Sequence, residues 1–232
     1  MNKIFTFGDG FATGHLWPEW PQILQALLPE YAIVNSAGIG AGPEWLVHKF
    51  VNLLPDIANN IVVFQWPQAD RFDKLIENAD WNDIVNSDPV YHFNLHSDDD
   101  NTWWLSSASE TPIVQQYHTI VQQKQHKIRR KNYEILVKNT LENNNCNYYF
   151  TSTLDQQLFS NQKRFYTTRQ NNIQPSPIVH FYFVTEVILP NLKIQVCENR
   201  ILNLMQLITT QDWHAYDPDR DEIWNNITSK LD

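Results

Sequence analysis

The chain has 232 residues, of which 42% are hydrophobic and 13% aromatic, and its formal net charge at pH 7 is -9. This length suits one large domain, or one domain with an appendage. The negative charge argues against bulk binding to nucleic acid or anionic lipid, and no apolar run approaches the roughly 20 residues that span a membrane. No signal peptide is visible, and only two cysteines are present. A reducing, cytoplasmic compartment is therefore expected.

The first part of the chain alternates apolar runs with stretches of helical periodicity. Strands are predicted at residues 3–7, 31–35 and 60–66, and helices at 18–28 and from Pro43 onward. The third strand has a continuous apolar run that fits burial on both faces. Strands that alternate with helices predict an α/β fold with a parallel sheet and right-handed crossovers.

Beyond residue 66 the periodic signals are weaker. The predictions are irregular structure at 67 to about 110, a long helix at 111–143, a strand at 147–151, a polar loop at 160–175, a helix at 177–189 that Pro190 ends, and one or two helices in the tail from about 193 to 232. In the long helix, the expected inner positions are Ile113, Tyr117, Ile120, Val121, Ile128, Ile135, Leu136 and Leu141.

Four segments are expected to meet at one edge of the sheet. Ligands of doubly wound sheets bind beyond the carboxyl ends of the strands. The turn Gly8-Asp9-Gly10 follows the first strand, a glycine loop at 36–42 follows the second, and residues 65–71 follow the third. The stretch QPSPIVH at 174–180 precedes the last core helix. These four loops therefore predict a site.

The first three of these segments resemble motif blocks of the SGNH (GDSL-type) hydrolase family. FGDGFATG resembles the block that ends in Gly-Asp-Ser, with Gly10 where the family has its nucleophilic Ser. NSAGIGAG resembles the glycine block, and Gly40 is the best candidate for the backbone donor to an oxyanion. VVFQWPQADRFD lacks the Gly-x-Asn-Asp signature of the third block, although Gln68 would offer an amide nearby.

The last block of the family is Asp-x-x-His, and NNIQPSPIVH is similar to it. Asn171 stands where the Asp is expected and Gln174 where the His is expected, while Pro175, Ser176 and His180 keep the surrounding pattern. The resemblance covers about residues 3 to 192. It implies a three-layer α/β/α sandwich with a central parallel sheet at 1–192. The tail at 193–232 lies outside the resemblance and is expected to be a helical extension that packs on the domain or on a partner.

The departures from the family pattern affect all three catalytic positions. Gly10 has no nucleophile, the amide of Gln174 cannot act as general base, and Asn171 lacks the carboxylate that would stabilise an imidazolium. The resemblance thus implies a catalytically degenerate protein with a binding or structural role and no cofactor or metal. Its expected ligand pocket is formed by Asp9, Gly10, Gly40, Gln68, Arg71 and His180. The alternative is an active esterase or acyl-transfer enzyme that uses His180 and a nearby hydroxyl, Ser36 or Ser176.

Several individual residues have two interpretations. Asp9 is a catalytic acid or, as favoured, holds its turn by accepting backbone N–H bonds. His180 is a relocated base or, as favoured, a structural residue at the start of a helix. Arg71 holds an anion or, as favoured, forms an ion pair. The pair Trp103-Trp104 and the pair Trp17 and Trp20 form a sugar-stacking platform or, as favoured, pack in the core or a cleft wall.

Two charged stretches have a functional and a plainer interpretation. His92 and His96, followed by acids at 98–100, would suit a metal if helical, but a solvated loop is favoured. The basic residues Lys124, Lys127, Arg129, Arg130 and Lys131 are expected to form a solvated helix face.

The C-terminal tail and the amino-acid composition suggest binding partners and a source for the protein. Trp213 and Trp224 are expected to be exposed, so that the extension at 193–232 could bind a protein partner or a second copy of the chain. Asn is plentiful and glycine is scarce, with six residues. This bias is typical of AT-rich coding sequence and points to either a viral or an AT-rich bacterial source. A phage protein located in the virion is one setting.

Overall fold

A computed structural model of the chain describes residues 2–10, 12–13, 18–38, 40–69, 71–77, 94–98, 102–107, 120–121, 123–153, 155, 166–169, 172–210 and 220–231. The elements are β1 (Asn2–Phe7), α1 (Trp20–Leu27), β2 (Tyr31–Asn35), α2 (Pro43–Asn52), α3 (Leu54–Ile57), β3 (Ile61–Trp66), β4 (Phe72–Glu77), β5 (Asn94–Asp98), β6 (Thr102–Ser107), α4 (Gln123–Asn143), β7 (Asn147–Ser152), β8 (Tyr166–Arg169), β9 (Asn172–Pro175), α5 (Pro177–Phe183), a π-helical segment (Val184–Ile188), α6 (Leu189–Leu192), α7 (Glu198–Thr210) and α8 (Arg220–Thr228).

Four strands form a parallel sheet in the order β2-β1-β3-β7. Ile4 of β1 is in register with Ile33 of β2 and Ile61 of β3, and Val62 of β3 is in register with Tyr148 of β7. All four strands were predicted from their apolar runs, to within about one residue at each end. The α/β fold and its parallel sheet are therefore confirmed.

Both faces of this sheet are apolar and carry helices. Side chains alternate between the faces along a strand, so Ile4 and Val63 lie on one face while Phe5, Phe7 and Phe64 lie on the other. The first face packs against α1, α5 and α7 in what we call the α1-side core. The second packs against α2 and α4 in the α2-side core, where the rings of Phe7 and Phe64 stack at 5.1 Å.

Two segments that were predicted to be irregular contain strands. β4, β6 and β5 form an antiparallel sheet in that order, within residues 67–110, and β8 and β9 form a hairpin within residues 160–175. The prediction was wrong for these strands because sequences such as FDKLIE and NLHSD show no clear alternation of apolar and polar residues. They are held by cross-strand pairing, which a search for local periodicity does not detect.

Helix α4 was predicted, but four of the eight inner positions expected for it were wrong. Ile120, Ile128, Ile135 and Leu136 are exposed, while Leu141 is buried as expected. Ile113 and Tyr117 lie outside the described residues. The buried positions are instead His126, Val137 and Leu141.

The basic residues of α4 divide into two groups. Lys124, Lys127 and Lys131 are exposed, as a solvated face requires. Arg129 and Arg130 are half-buried, which corrects the prediction for these two. Arg129 pairs with Glu44, and Arg130 donates from Nη1 to the Pro67 carbonyl at 3.0 Å. Both contacts join α4 to elements more than 60 residues away.

The last core helix passes through Pro190 instead of ending there. The π-helical segment Val184–Ile188 precedes this proline and joins α5 to α6, which ends at Lys193 in the left-handed conformation with φ 58°. A wider π turn relaxes the hydrogen-bond pattern where proline lacks its N–H.

The two C-terminal helices share the core of the parallel sheet. Leu204 and Ile208 of α7, Trp224 of α8 and Leu231 belong to the α1-side core, and Arg200 Nε donates to the Ala26 carbonyl at 2.7 Å. Trp224 is 3% exposed, so its predicted exposure was wrong. Trp213 lies outside the described residues. Among the helices that the structure describes, none has the length and hydropathy to cross a bilayer.

Candidate functional site

The strand order places a topological switch point between β1 and β3, where a crevice can form at the carboxyl ends of the strands. The chain moves from β1 to β2 on one side and from β3 to β7 on the other, so the loops after β1 and β3 diverge at this point. Ligands of open parallel sheets bind outside the carboxyl ends of the strands at such a switch. We call the residues that follow β1, β2, β3 and β7 at this end the edge site.

A buried carboxylate stands at the centre of the edge site. Asp9 is fully buried. Its Oδ2 accepts a hydrogen bond from Thr153 Oγ1 at 2.8 Å and lies 3.2 Å from Arg71 Nη2. The carboxylate follows β1, the hydroxyl follows β7, and the guanidinium comes from the segment between β3 and β4. This ion pair agrees with the interpretation of Arg71 that was favoured from the sequence.

Sequence reasoning did not find Thr153. Its side chain is 1% exposed, and its hydroxyl also lies 3.3 Å from the Trp66 carbonyl. A hydroxyl beside a carboxylate is one arrangement that activates a nucleophile. Thr153 is buried beside Asp9, which agrees with a structural role for this contact.

A tight approach of β1 to β3 fixes the first residue of the turn. A Cβ on Gly8 would lie 2.7 Å from Ala12 Cβ and 3.0 Å from Gln65 Oε1. Gln65 is fully buried, and its Oε1 accepts a hydrogen bond from Trp20 Nε1 at 3.1 Å. The glutamine beside the turn is thus Gln65, whereas Gln68, the predicted amide donor, has an exposed side chain. Trp20 is fully buried, in agreement with the core interpretation.

The loop after β2 is tied to the turn after β1 through Asn35. Asn35 Nδ2 donates to the Ala12 carbonyl at 3.0 Å, and Thr6 Oγ1 donates to Asn35 Oδ1 at 3.0 Å. The Gly38 N–H donates to the Gly8 carbonyl, also at 3.0 Å. Two of the four predicted loops therefore form one hydrogen-bonded unit. The signal that could have identified Asn35 is a polar residue that directly ends a strand beside a glycine loop.

Gly40 has a conformation that favours glycine. Its φ is 73°, in the left-handed region that residues with a Cβ rarely adopt. Its role as an oxyanion donor remains a prediction.

His180 lies in the first turns of α5 and is 2% exposed. Burial lowers the pKa of its imidazole from 6.5 to about 3. A base this weak has little tendency to take a proton from a hydroxyl near neutral pH. Ser176, the candidate hydroxyl that lies nearest to His180 in the sequence, has a buried Oγ without a hydrogen-bond partner. The burial and the low pKa agree with the structural interpretation of His180.

Three predicted positions offer no reacting side chain in the part of the chain that the structure describes. Gly10 is buried in its turn and has none. Gln174 lies in β9, and its side chain is outside the described residues, as is the whole of Asn171. Ser36 is half-buried, and its N–H donates to the Thr6 carbonyl at 2.8 Å.

A metal centre finds no support within the described ranges. No group of three or more His, Cys, Asp or Glu side chains is placed there to hold an ion. His96 lies in strand β5, so its segment is neither the helix that a metal site would need nor the predicted loop. His92 lies outside the described residues, and Trp103 and Trp104 lie in β6.

Comparison of the chain with protein-family models, with curated proteins and with solved structures finds no match.

Proposed function

We propose that the chain is a catalytically degenerate SGNH-hydrolase-like protein whose edge site binds a ligand or a partner without hydrolysing it. The proposed architecture is the three-layer α/β/α sandwich of that family. Support comes from the parallel order β2-β1-β3-β7 and from helices on both faces of the sheet. Four motif blocks follow one another in the family order, and those after the first three strands lie at one edge of the sheet.

The observation that carries this proposal is the state of the turn after β1. Position 10 has no nucleophile, and the neighbouring carboxylate of Asp9 is fully buried against Arg71 and Thr153. A carboxylate held in this way stabilises the turn and is withdrawn from substrate. His180, the one candidate replacement base, is buried and has a lowered pKa. The backbone N–H groups of the turns remain to bind an oxygen atom of a ligand.

The test is to restore the missing groups. The wild-type chain is expected to show no labelling by a fluorophosphonate probe and no turnover of short-chain p-nitrophenyl esters. The triple variant Gly10→Ser, Asn171→Asp, Gln174→His should gain labelling at position 10. We expect slow ester hydrolysis from it as well, because a nucleophile, a base and an orienting carboxylate act as a unit.

The matched control is the double variant Gly10→Ser, Gln174→His, which lacks the orienting carboxylate and should react more slowly than the triple variant. Wild-type labelling that is lost in His180→Gln would overturn the proposal in favour of a rewired esterase. A correctly folded triple variant with no reactivity would count against the family architecture.

We also propose assembly, including assembly into a virion, as a setting for such a protein. Leu202 of α7 is 49% exposed although its neighbour Leu204 is buried, which leaves an apolar side chain on the outer surface of the extension. The partner is a second copy or another protein. Light scattering after size exclusion measures the first directly, and a monomer that captures no partner would contradict this setting.

A further inference from the structure

A second group of polar side chains lies beside the edge site, at the start of α2. Asp73 of β4 accepts hydrogen bonds from the backbone N–H groups of Gly42 and Trp45, at 2.9 Å and 3.1 Å. A Cβ at position 42 would overlap this carboxylate, so Gly42 permits the close approach of β4. Asp73 therefore caps α2 from a different element, since Gly42 has no side chain with which to do so.

Glu44, in the first turn of α2, completes the group. Its Oε1 forms an ion pair of 2.6 Å with Arg129 Nη1 of α4, and its side chain is 19% exposed. Its Oε2 is buried and receives no hydrogen bond. On the far side of the guanidinium, Arg129 Nη2 lies 3.2 Å from His126 Nδ1. The titratable and charged groups near Glu44 include Asp73 from β4 and, from α4, Arg129 with His126 behind it.

An ionised Glu44 is disfavoured here for two reasons. Its Oε2 is buried without a hydrogen-bond donor, and its charge is repelled by that of Asp73. A single proton on Glu44 removes the repulsion from Asp73 and gives Oε2 a hydrogen to donate. Burial, and next the charge of Asp73, raise the pKa of Glu44 from 4.5 to about 7, against the opposing effect of Arg129.

We propose that Glu44, Asp73 and Arg129 form a proton-linked latch, which fastens the start of α2 to β4 and α4 while Glu44 holds a proton and loosens when Glu44 ionises. The latch borders the edge site, because Asp73 follows Arg71 by two residues and α2 follows Gly40 in the chain. The proposal stands on these contacts and does not depend on what the edge site binds.

The direction of the pH dependence follows from the raised pKa. The closed latch binds the proton more tightly than the open latch, in which Glu44 has its ordinary pKa of 4.5. The extra stability is complete below that value and is lost as the pH rises through about 7. Between the two values the ratio of closed to open forms falls by at most about tenfold per pH unit.

The experiment measures hydrogen exchange at the backbone amides of Gly42 and Trp45, which donate hydrogen bonds to Asp73, from about pH 5 to about pH 8. After correction for the intrinsic exchange rate, their protection in the wild-type chain should fall as the pH rises and then level off. In Glu44→Gln, which mimics the protonated carboxyl, protection should stay high and constant. Glu30→Gln, an exposed carboxyl in the turn before β2, is the control and should behave as the wild type.

Two further measurements keep the latch distinguishable from other causes. The loss of protection should persist in His126→Gln; if it disappears there and persists in Glu44→Gln, the imidazole is responsible and the proposal is overturned. If Glu44→Gln does not fold, the carboxyl carbon of Glu44 is titrated by NMR in the wild-type chain. A midpoint near 7 supports the latch, and one below about 5 overturns it.

Discussion

A carboxylate with no exposed surface, such as that of Asp9, is costly to bury unless its charge is paired and its oxygens receive hydrogen bonds. Here Arg71 and Thr153 supply one contact each, both to Oδ2. The hydroxyl is the partner whose removal leaves the ion pair intact. It therefore gives the cleaner test of how strongly the turn after β1 depends on this carboxylate.

We predict that Thr153→Val lowers the free energy of unfolding by about 1–3 kcal/mol, because the shape is kept while a buried carboxylate loses a donor. Urea denaturation followed by tryptophan fluorescence measures the change. Thr153→Ser, which retains the hydroxyl, is the control and should lose less. A loss below about 0.5 kcal/mol in Thr153→Val would contradict the prediction, because valine keeps the methyl group and lacks only the hydroxyl that donates to Asp9.

At the scale of single elements, α5 buries an imidazole together with its apolar side chains. Val179, His180, Phe181 and Phe183 are all buried, where the helix packs against α1 and α7. The lowered pKa of His180 means that the folded chain holds this imidazole neutral while the unfolded chain protonates it below about 6.5. The unfolded state then binds more protons, so acid destabilises the fold through this helix.

We predict that the contribution of His180 to stability is complete above pH 6.5 and is lost as the pH falls toward 3. The slope approaches about 1.4 kcal/mol per pH unit at most. Unfolding free energies at about pH 7 and pH 5 should differ less in His180→Gln than in the wild type. An imidazole resonance of His180 that titrates near 6.5 in the folded chain would contradict the prediction.

Helix α4 shows why local patterns predicted its existence but not its inner face. The face that contacts the rest of the molecule includes His126, Arg129, Arg130, Val137 and Leu141. The arginines are accommodated there because Glu44 and the Pro67 carbonyl provide partners. Those partners are distant in sequence, so periodicity assigns the inner face to isoleucines that are in fact exposed. Thr153 and Gln65 were missed for the same reason, because their partners Asp9 and Trp20 are distant in sequence.

At the scale of the whole molecule, the parallel sheet could be predicted because each of its strands is apolar by itself. The antiparallel strands β4 to β6 and the hairpin of β8 and β9 could not, because pairing and not composition defines them. For the edge site, the loops after β1, β2 and β3 were expected at one end of the sheet because these strands are parallel, but the end of β7, which supplies Thr153, was not among the predicted segments. The central contacts of the edge site, from Asp9 to Arg71 and Thr153, required the register of three strands.

The C-terminal helices give a direct test of how far the core extends. Leu204 and Leu202 lie two positions apart on α7, and they are 0% and 49% exposed. We predict that Leu204→Ala lowers the free energy of unfolding by about 2–5 kcal/mol, because it leaves a cavity in the α1-side core. Leu202→Ala, the matched control, should change it by no more than about 0.5 kcal/mol. If α7 were only an appendage, Leu204→Ala would leave the main transition in place and affect a separate, smaller one. A single cooperative transition that shifts as a whole would instead show that residues beyond 192 fold together with the parallel sheet.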